Sequence, residues 1–153
     1  MTEVIIRPAE LSDLDTLLEF EQGIVEAERP YDPTLKSGEI HYYDLKELIQ
    51  SERAEVAVAE IDGEVIGSGY LQVKVSKNYK KHVLHGYIGF MFVRPEHRGK
   101  GVIQSVTDHL ISWAKENNLS EIKLEVYDEN DAAIRAYEKA GFTKNLVEMR
   151  KPI

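Results

Sequence analysis

A chain of 153 residues with 42% hydrophobic and 30% charged side chains has the length and balance of one globular domain, residues 1–153, with apolar sequence enough for a sizeable core. Its formal charge of −8 argues against nucleic acid, whose binders present a basic face, and suits a cationic acceptor. The absence of cysteine excludes a disulfide framework, a Cys-ligated zinc site and a covalent Cys-acyl intermediate.

In chain order, Val4 to Pro8 reads as a short strand within an alternation that starts at Met1. Ser12 and Asp13 then open a helix whose Leu14, Leu17, Leu18, Ile24 and Val25 recur at helical spacing, with Glu21 interrupting that face. Two prolines and Gly38 make Arg29 to Ile40 a loop, followed by a short helix from about Tyr43 to Gln50. Ala54 to Ile61 and Val65 to Val75 alternate as strands around Asp62-Gly63, a hairpin turn signal. Lys77 to His82 is a basic hairpin loop, and Leu84 to Val93 is the next strand. Helix 102–117, strand 121–127, helix 131–140 and a last strand from Phe142 to about Lys151 complete the chain. No apolar run approaches 18 residues and no charged-then-apolar leader precedes the first strand, so a soluble, cytoplasmic protein with no membrane partner is expected. Strand pairs joined by a tight turn, with helices between later strands, predict an α+β three-layer fold: a mixed sheet with helices on both faces.

The segment from Phe90 to Gly101 runs from an apolar strand through a basic, glycine-bearing turn into the amphipathic helix that begins at Val102. Amide N–H groups at a helix start lack intrahelical partners, and the helix dipole adds positive potential there. Gly99 and Gly101 allow close approach of the main chain, while Arg98 and Lys100 add full charges, a combination suited to diphosphate. Neither a G-x-x-x-x-G-K-[ST] loop nor a G-x-G-x-x-G fingerprint is present.

A second block joins the strand Leu124-Glu125-Val126-Tyr127, a polar turn from Asp128 to Asp131, and a helix closed by Gly141. Together, Arg98-Gly99-Lys100-Gly101 and Val126-Tyr127-x-x-Asn130-x-x-Ala133-Ile134-x-x-Tyr137-x-x-x-Gly141-Phe142 resemble the GCN5-related N-acetyltransferases. The resemblance covers Phe90 to Phe142 by motif. It implies the acyl-CoA N-acyltransferase fold with a mostly antiparallel sheet, acetyl-CoA as co-substrate, no metal, and transfer of an acetyl group to an amine. It also implies that the central strands 84–93 and 121–127 splay to admit the pantetheine arm. The main chain of Met91, Phe92 and Val93 would hold that arm and offer an N–H to the developing oxyanion. Arg98, Gly99, Lys100, Gly101, Val102 and Ile103 would hold the phosphates. Ile103 stands where the family commonly has glycine or alanine, so its side chain must turn toward the core with Val106, Leu110 and Trp113.

Asn130 and Tyr137 stand seven positions apart, nearly two helical turns, so with Ala133 between them they share one face. By the resemblance, Tyr137 is the general acid toward the departing thiolate and Asn130 binds the cofactor arm; from spacing alone, Asn130 reads rather as a helix N-cap. A lysine-like acceptor with pKa ~10.4 costs roughly 4 to 5 kcal/mol to neutralise at pH 7, so a base is wanted for such a substrate. Glu28, His41, His85 and Tyr87 are the candidates, the last two on one face of the strand entering the site. Glu28, Tyr31 and Asp32 lie in the loop that would form the acceptor wall, while His97 sits in the phosphate turn. The acceptor is a small-molecule amine or a peptide N-terminus, attacked directly in a ternary complex. A non-catalytic CoA-binding module of the same fold is the rival, and a homodimer, with the final strand as its edge, follows from the family habit.

Overall fold

The computed structural model describes residues 3–153. Among them a five-stranded sheet has the order β1-β2-β3-β4-β5: β1 Ile5–Pro8, β2 Ala54–Ile61, β3 Glu64–Val75, β4 Leu84–Val93 and β5 Ile122–Leu124. The first three pairings are antiparallel and β4–β5 is parallel, the mixed, mostly antiparallel sheet expected. Asp62 and Gly63, with φ of 50° and 82°, form the two-residue turn whose twist suits the β2–β3 hairpin. Met1 and Thr2, where the expected alternation begins, lie outside the described residues.

Four α-helices accompany the sheet: α1 Leu14–Glu28, α2 Leu45–Gln50, α3 Val102–Glu116 and α4 Asp131–Lys139. One sheet face packs Ala57, Ala59, Ile66, Leu71, Ile88 and Val93 against Val102, Val106, Leu110 and Ala114 of α3. The opposite face packs Val56, Val58, Tyr70 and Phe90 against Leu17 and Phe20 of α1 and Leu45 and Leu48 of α2. Two cores on opposite sides of one sheet make the three layers, because a strand alternates its side chains between faces while a helix gathers them on one. The entry into α1 is fixed by Arg7, whose guanidinium pairs with Asp13 at 2.9 Å and Glu60 at 2.6 Å.

Two expected strands are corrected. The strand placed at 121–127 ends at Leu124, because β4 offers it pairing partners only at Gly86, Tyr87 and Ile88. The strand placed from Phe142 to Lys151 does not form. Phe142 packs on the α3-side core, but beyond it no neighbouring strand receives the chain, and Leu146, Val147 and Met149 are 90%, 79% and 89% exposed. Alternating hydrophobicity measures compatibility with a sheet; it does not supply the partner strand. The sheet's free edges are therefore β1 and β5 rather than a final strand. No helix among the described residues is long and apolar enough to cross a membrane.

Candidate active site

Beyond Ile88 and Leu124 the two parallel strands lose their pairing, so the main chain of Gly89 to Val93 has no β5 partner. That stretch is also irregular on its other side: the ladder passes from Ser68↔Phe92 to Tyr70↔Gly89, so Gly69 alone faces Phe90 and Met91. Phe90 takes φ of 60°. For a bulky aromatic this is a strained conformation, costing roughly 1–3 kcal/mol, of the kind that clusters at functional sites. The irregularity begins one residue after Gly89.

Glycines make the distortion possible. A methyl on Gly69 would lie 2.5 Å from Met91 Sδ and 2.8 Å from Val106 Cγ1, and one on Gly23 of α1 would lie 2.7 Å from the Phe92 ring. Gly89 is likewise crossed by Tyr70, whose Cζ and Oη would sit 2.8 Å from an added Cβ. Gly69→Ala should therefore cost about 1–3 kcal/mol in urea unfolding, by forcing Met91 and Val106 apart; an unchanged midpoint would mean the bulge relaxes freely.

At the end of β4, a 3-10 turn at Pro95–His97 leads through Arg98, Gly99, Lys100 and Gly101 into α3. Gly99 and Gly101 have φ of 75° and 81°, and no atom lies within 4 Å of a Cβ built on either, so the turn is open on its outer side. Gly101 is the N-cap and carries no capping side chain. The N–H groups of Val102, Ile103 and Gln104 precede the first i→i−4 bond, which runs from Ser105 to Gly101 at 3.1 Å. Arg98 is steadied by its Nε donating to the Val93 carbonyl at 2.9 Å, with the guanidinium over Phe92 at 5.7 Å. Uncapped amides, two left-handed glycines and the Arg98 and Lys100 charges fit a diphosphate. Ile103 is partly buried and packs against the α3-side core, as expected. His97 lies in the 3-10 turn leading to it.

At the other end of the cleft a carboxylate sits among tyrosines. Half-burial pushes the Glu28 carboxyl above its usual range. The hydroxyls of Tyr43, Tyr87, Tyr127 and Tyr137 are raised, first by burial, and the charge of Glu28 contributes to each rise. The Tyr42 hydroxyl is buried, has no hydrogen-bond partner, and faces Glu28 without completing a bond. Tyr137, pushed up to about 12, holds its proton throughout the neutral range. Tyr137 and Ala133 are partly buried on one face of α4, with the Phe142 ring edge-on to Tyr137 at 5.9 Å. Asn130 is the helix N-cap, its Oδ1 accepting the Ala133 N–H at 3.3 Å, which leaves its amide nitrogen as the group open to a ligand.

The remaining expected site residues divide. Tyr31 stacks on Tyr127 with centroids 6.0 Å apart. Asp32 accepts from Tyr127 Oη at 2.9 Å, Arg150 at 2.7 Å and Thr34 Oγ1 at 2.6 Å, which holds its carboxyl well below the usual range. Its charge is already matched by Arg150, whereas Glu28 has no cationic partner among the described residues. Tyr87 belongs to the Glu28 cluster, whereas His85 pairs with Ser76 Oγ at 2.8 Å and is lowered by burial and by Lys123. His41 is turned to Glu21, its Nδ1 at 2.8 Å. Sequence reasoning missed Tyr42, Tyr43 and Ser68. The one signal was Glu21: a charge on an apolar helix face needs partners, and it is wholly buried, accepting N–H bonds from Tyr42 and Tyr43 at 2.8 and 3.0 Å.

The chain is similar to several known proteins. The chain is 28% identical over 147 residues to an N-alpha-acetyltransferase of Sulfurisphaera tokodaii, covering 92% of this chain and 80% of that protein. It is 43% identical over 63 residues to the uncharacterized N-acetyltransferase YobR of Bacillus subtilis, a match spanning 26% of YobR and 40% of this chain. The tetramutant of the BH1408 protein from Bacillus halodurans shares the fold with a TM-score of 0.85 at 21% identity, over 97% of this chain and 99% of that one. A predicted acetyltransferase from Clostridium acetobutylicum, solved with acetyl-CoA, has a TM-score of 0.74 at 20% identity, over 97% and 96%. The sequence pattern of the Acetyltransferase (GNAT) family matches residues 21–142, and with that match over most of its length the chain belongs to the GNAT acetyltransferase family.

Proposed function

We propose that this protein is an acetyl-CoA-dependent N-acetyltransferase acting on a primary amine of a small molecule or a peptide N-terminus, with both substrates bound together. The observation that carries this reading is the parting of β4 and β5 after Ile88, which opens β4's main chain between an anion cradle and a carboxylate-tyrosine cluster. Bound acetyl-CoA supplies the activated acetyl thioester. Gly99, Gly101 and the amides of Val102 and Ile103, with Arg98 and Lys100, would hold its diphosphate, and Met91 to Val93 its arm. The side chain of Asn130 and the small surface of Ala133 would line the same arm.

Glu28, with its raised pKa, accepts a proton from the acceptor ammonium, so that the freed nitrogen lone pair can attack the carbonyl carbon. A β4 amide N–H between Met91 and Val93 stabilises the negative charge that develops on the carbonyl oxygen. The nitrogen, positively charged once bonded to the carbonyl carbon, gives its second proton to solvent; as the carbonyl re-forms and the C–S bond breaks, Tyr137 donates its phenolic proton to the departing sulfur and is reprotonated from solvent. Tyr87, Tyr42 and Tyr31 shape the wall around the amine, and aromatic faces near Glu28 favour a cation. The chain's lack of cysteine is in keeping with direct transfer.

The test is thiol release from acetyl-CoA against spermidine, lysine and a peptide with a free N-terminus. Turnover of at least one is expected, and Tyr137→Phe should slow it about 10²-fold with CoA affinity nearly unchanged. CoA binding without turnover of any amine would instead favour a non-catalytic module, and unaltered turnover in Tyr137→Phe would remove the general acid.

A further inference from the structure

Ser68 is wholly buried in the middle of β3, one of few polar side chains in the interior. Its hydroxyl donates across the strands to the Phe90 carbonyl at 3.0 Å. A hydroxyl in a dry core is unfavourable unless it is bonded, so its value lies in what it bonds, and here that is the residue held at positive φ. The other side of Phe90 is gripped by an aromatic. Tyr43 meets the Phe90 ring edge-on with centroids 5.3 Å apart and meets Tyr70 in the same way at 5.3 Å. Tyr70 in turn lies across Gly89, the residue before the bulge. Tyr43 is itself held by main chain: the buried Glu21 carboxylate accepts its N–H at 3.0 Å.

We propose that Ser68 and Tyr43 are positioning residues for acetyl transfer, gripping Phe90 from two sides so that the β4 bulge holds the Met91 to Val93 main chain in the orientation the reaction needs. This rests on the reading of that main chain as the thioester cradle. An aromatic residue at positive φ persists only where its surroundings over-determine it. With the grip on the carbonyl removed, Phe90 returns toward extended backbone, the extra residue is absorbed elsewhere in β4, and the neighbouring amide planes turn. The anion cradle at Gly99 to Ile103 belongs to a different element and is left in place. Loss of the grip therefore lowers the rate at a bound thioester far more than the affinity for CoA, which loses only part of the arm's share and keeps the anion cradle.

The experiment is Ser68→Ala and Ser68→Thr, with Tyr43→Leu as an independent variant. Each is measured for kcat and KM by thiol release with whichever of spermidine or the free-N-terminus peptide the wild type acetylates, for CoA affinity by calorimetry, and for thermal midpoint. Ser68→Ala and Tyr43→Leu should each lower kcat about 10- to 100-fold, with KM for acetyl-CoA and Kd for CoA moving less than about threefold. Ser68→Thr, which keeps the hydroxyl, should recover most of the loss. Hydrogen exchange at the Met91 and Phe92 amides should quicken in Ser68→Ala. Unchanged kcat in both folded variants, or CoA affinity falling in step with kcat, would overturn the proposal. Should Ser68→Ala not fold, Tyr43→Leu decides. Failure of the underlying reading is distinguishable, since the wild type itself would then bind no CoA.

Discussion

Gly101→Asp should weaken CoA binding by about 10² to 10³, read by calorimetry, while the thermal midpoint falls by only a few degrees. The two effects separate because the position is open: no atom lies within 4 Å of an added Cβ, so the variant meets no steric barrier from the protein. Aspartate tolerates the left-handed φ of 81° better than most residues, which keeps the backbone cost small, and its carboxylate stands at the end of α3 where the free amides open. That carboxylate expels the phosphates because it places a like charge against them at the open end of the helix. Two unit charges 4 Å apart repel by about 4 kcal/mol at an effective dielectric of 20, enough for the larger figure. Arg98→Ala should cost about tenfold by comparison, because it removes one charged partner and leaves the amides free. Tight CoA binding by Gly101→Asp would place the phosphates elsewhere in the cleft.

Glu28→Gln should lower kcat/KM by about 10² to 10⁴ toward an alkyl amine and should raise thermal stability at pH 7. Burial disfavours the charged carboxylate and lifts its pKa in the folded state above the unfolded value. The stabilising contribution of the protonated form is complete below the ordinary glutamate range and is lost as pH climbs through the raised folded value. At pH 7 the wild type therefore carries a destabilising charge that glutamine lacks, and the difference in midpoint should close as pH falls below about 4. Activity runs the other way. The base must be ionised, so the acidic limb of kcat/KM should lie above the ordinary carboxylate range in the wild type and vanish in Glu28→Gln. A variant that retains turnover and the same limb would remove Glu28 from the reaction and direct attention to Tyr87. Gain of stability with loss of activity is the pattern of a functional group held against its preferred state.

The glycine turn before α3 was legible in the linear chain because it is local: Gly99, Gly101 and the amides that follow them are consecutive, and the start of a helix needs no distant residue to leave N–H groups free. The α4 face with Asn130, Ala133 and Tyr137 was legible for a related reason, helical period, although which of its residues meets a ligand was not. Asn130 illustrates the limit, since the spacing allowed both a cap and a ligand, and the structure spends its carbonyl on the cap. The two cores, the Asp62-Gly63 hairpin and the inward turn of Ile103 likewise followed from apolar periodicity and turn chemistry.

The acceptor end was not legible in this way. Asp32 and Glu28 look equivalent in the loop, and only the arrival of Tyr127, Thr34 and Arg150, the last 118 positions away, takes up one carboxylate and leaves the other. His85 and Tyr87 share a strand face, yet their neighbours separate them, Lys123 beside one and Glu28 near the other. The predicted final strand failed because pairing depends on a neighbour that the chain's own pattern cannot provide. The sequence by itself determined the family, the layer order and the glycine turn that opens α3, because each rests on consecutive residues or on a fixed period. Only the tertiary structure decided which carboxylate stays free, where β4 is bent and what holds it there. Those outcomes depend on charge, burial and packing between segments that meet only when the sheet has formed.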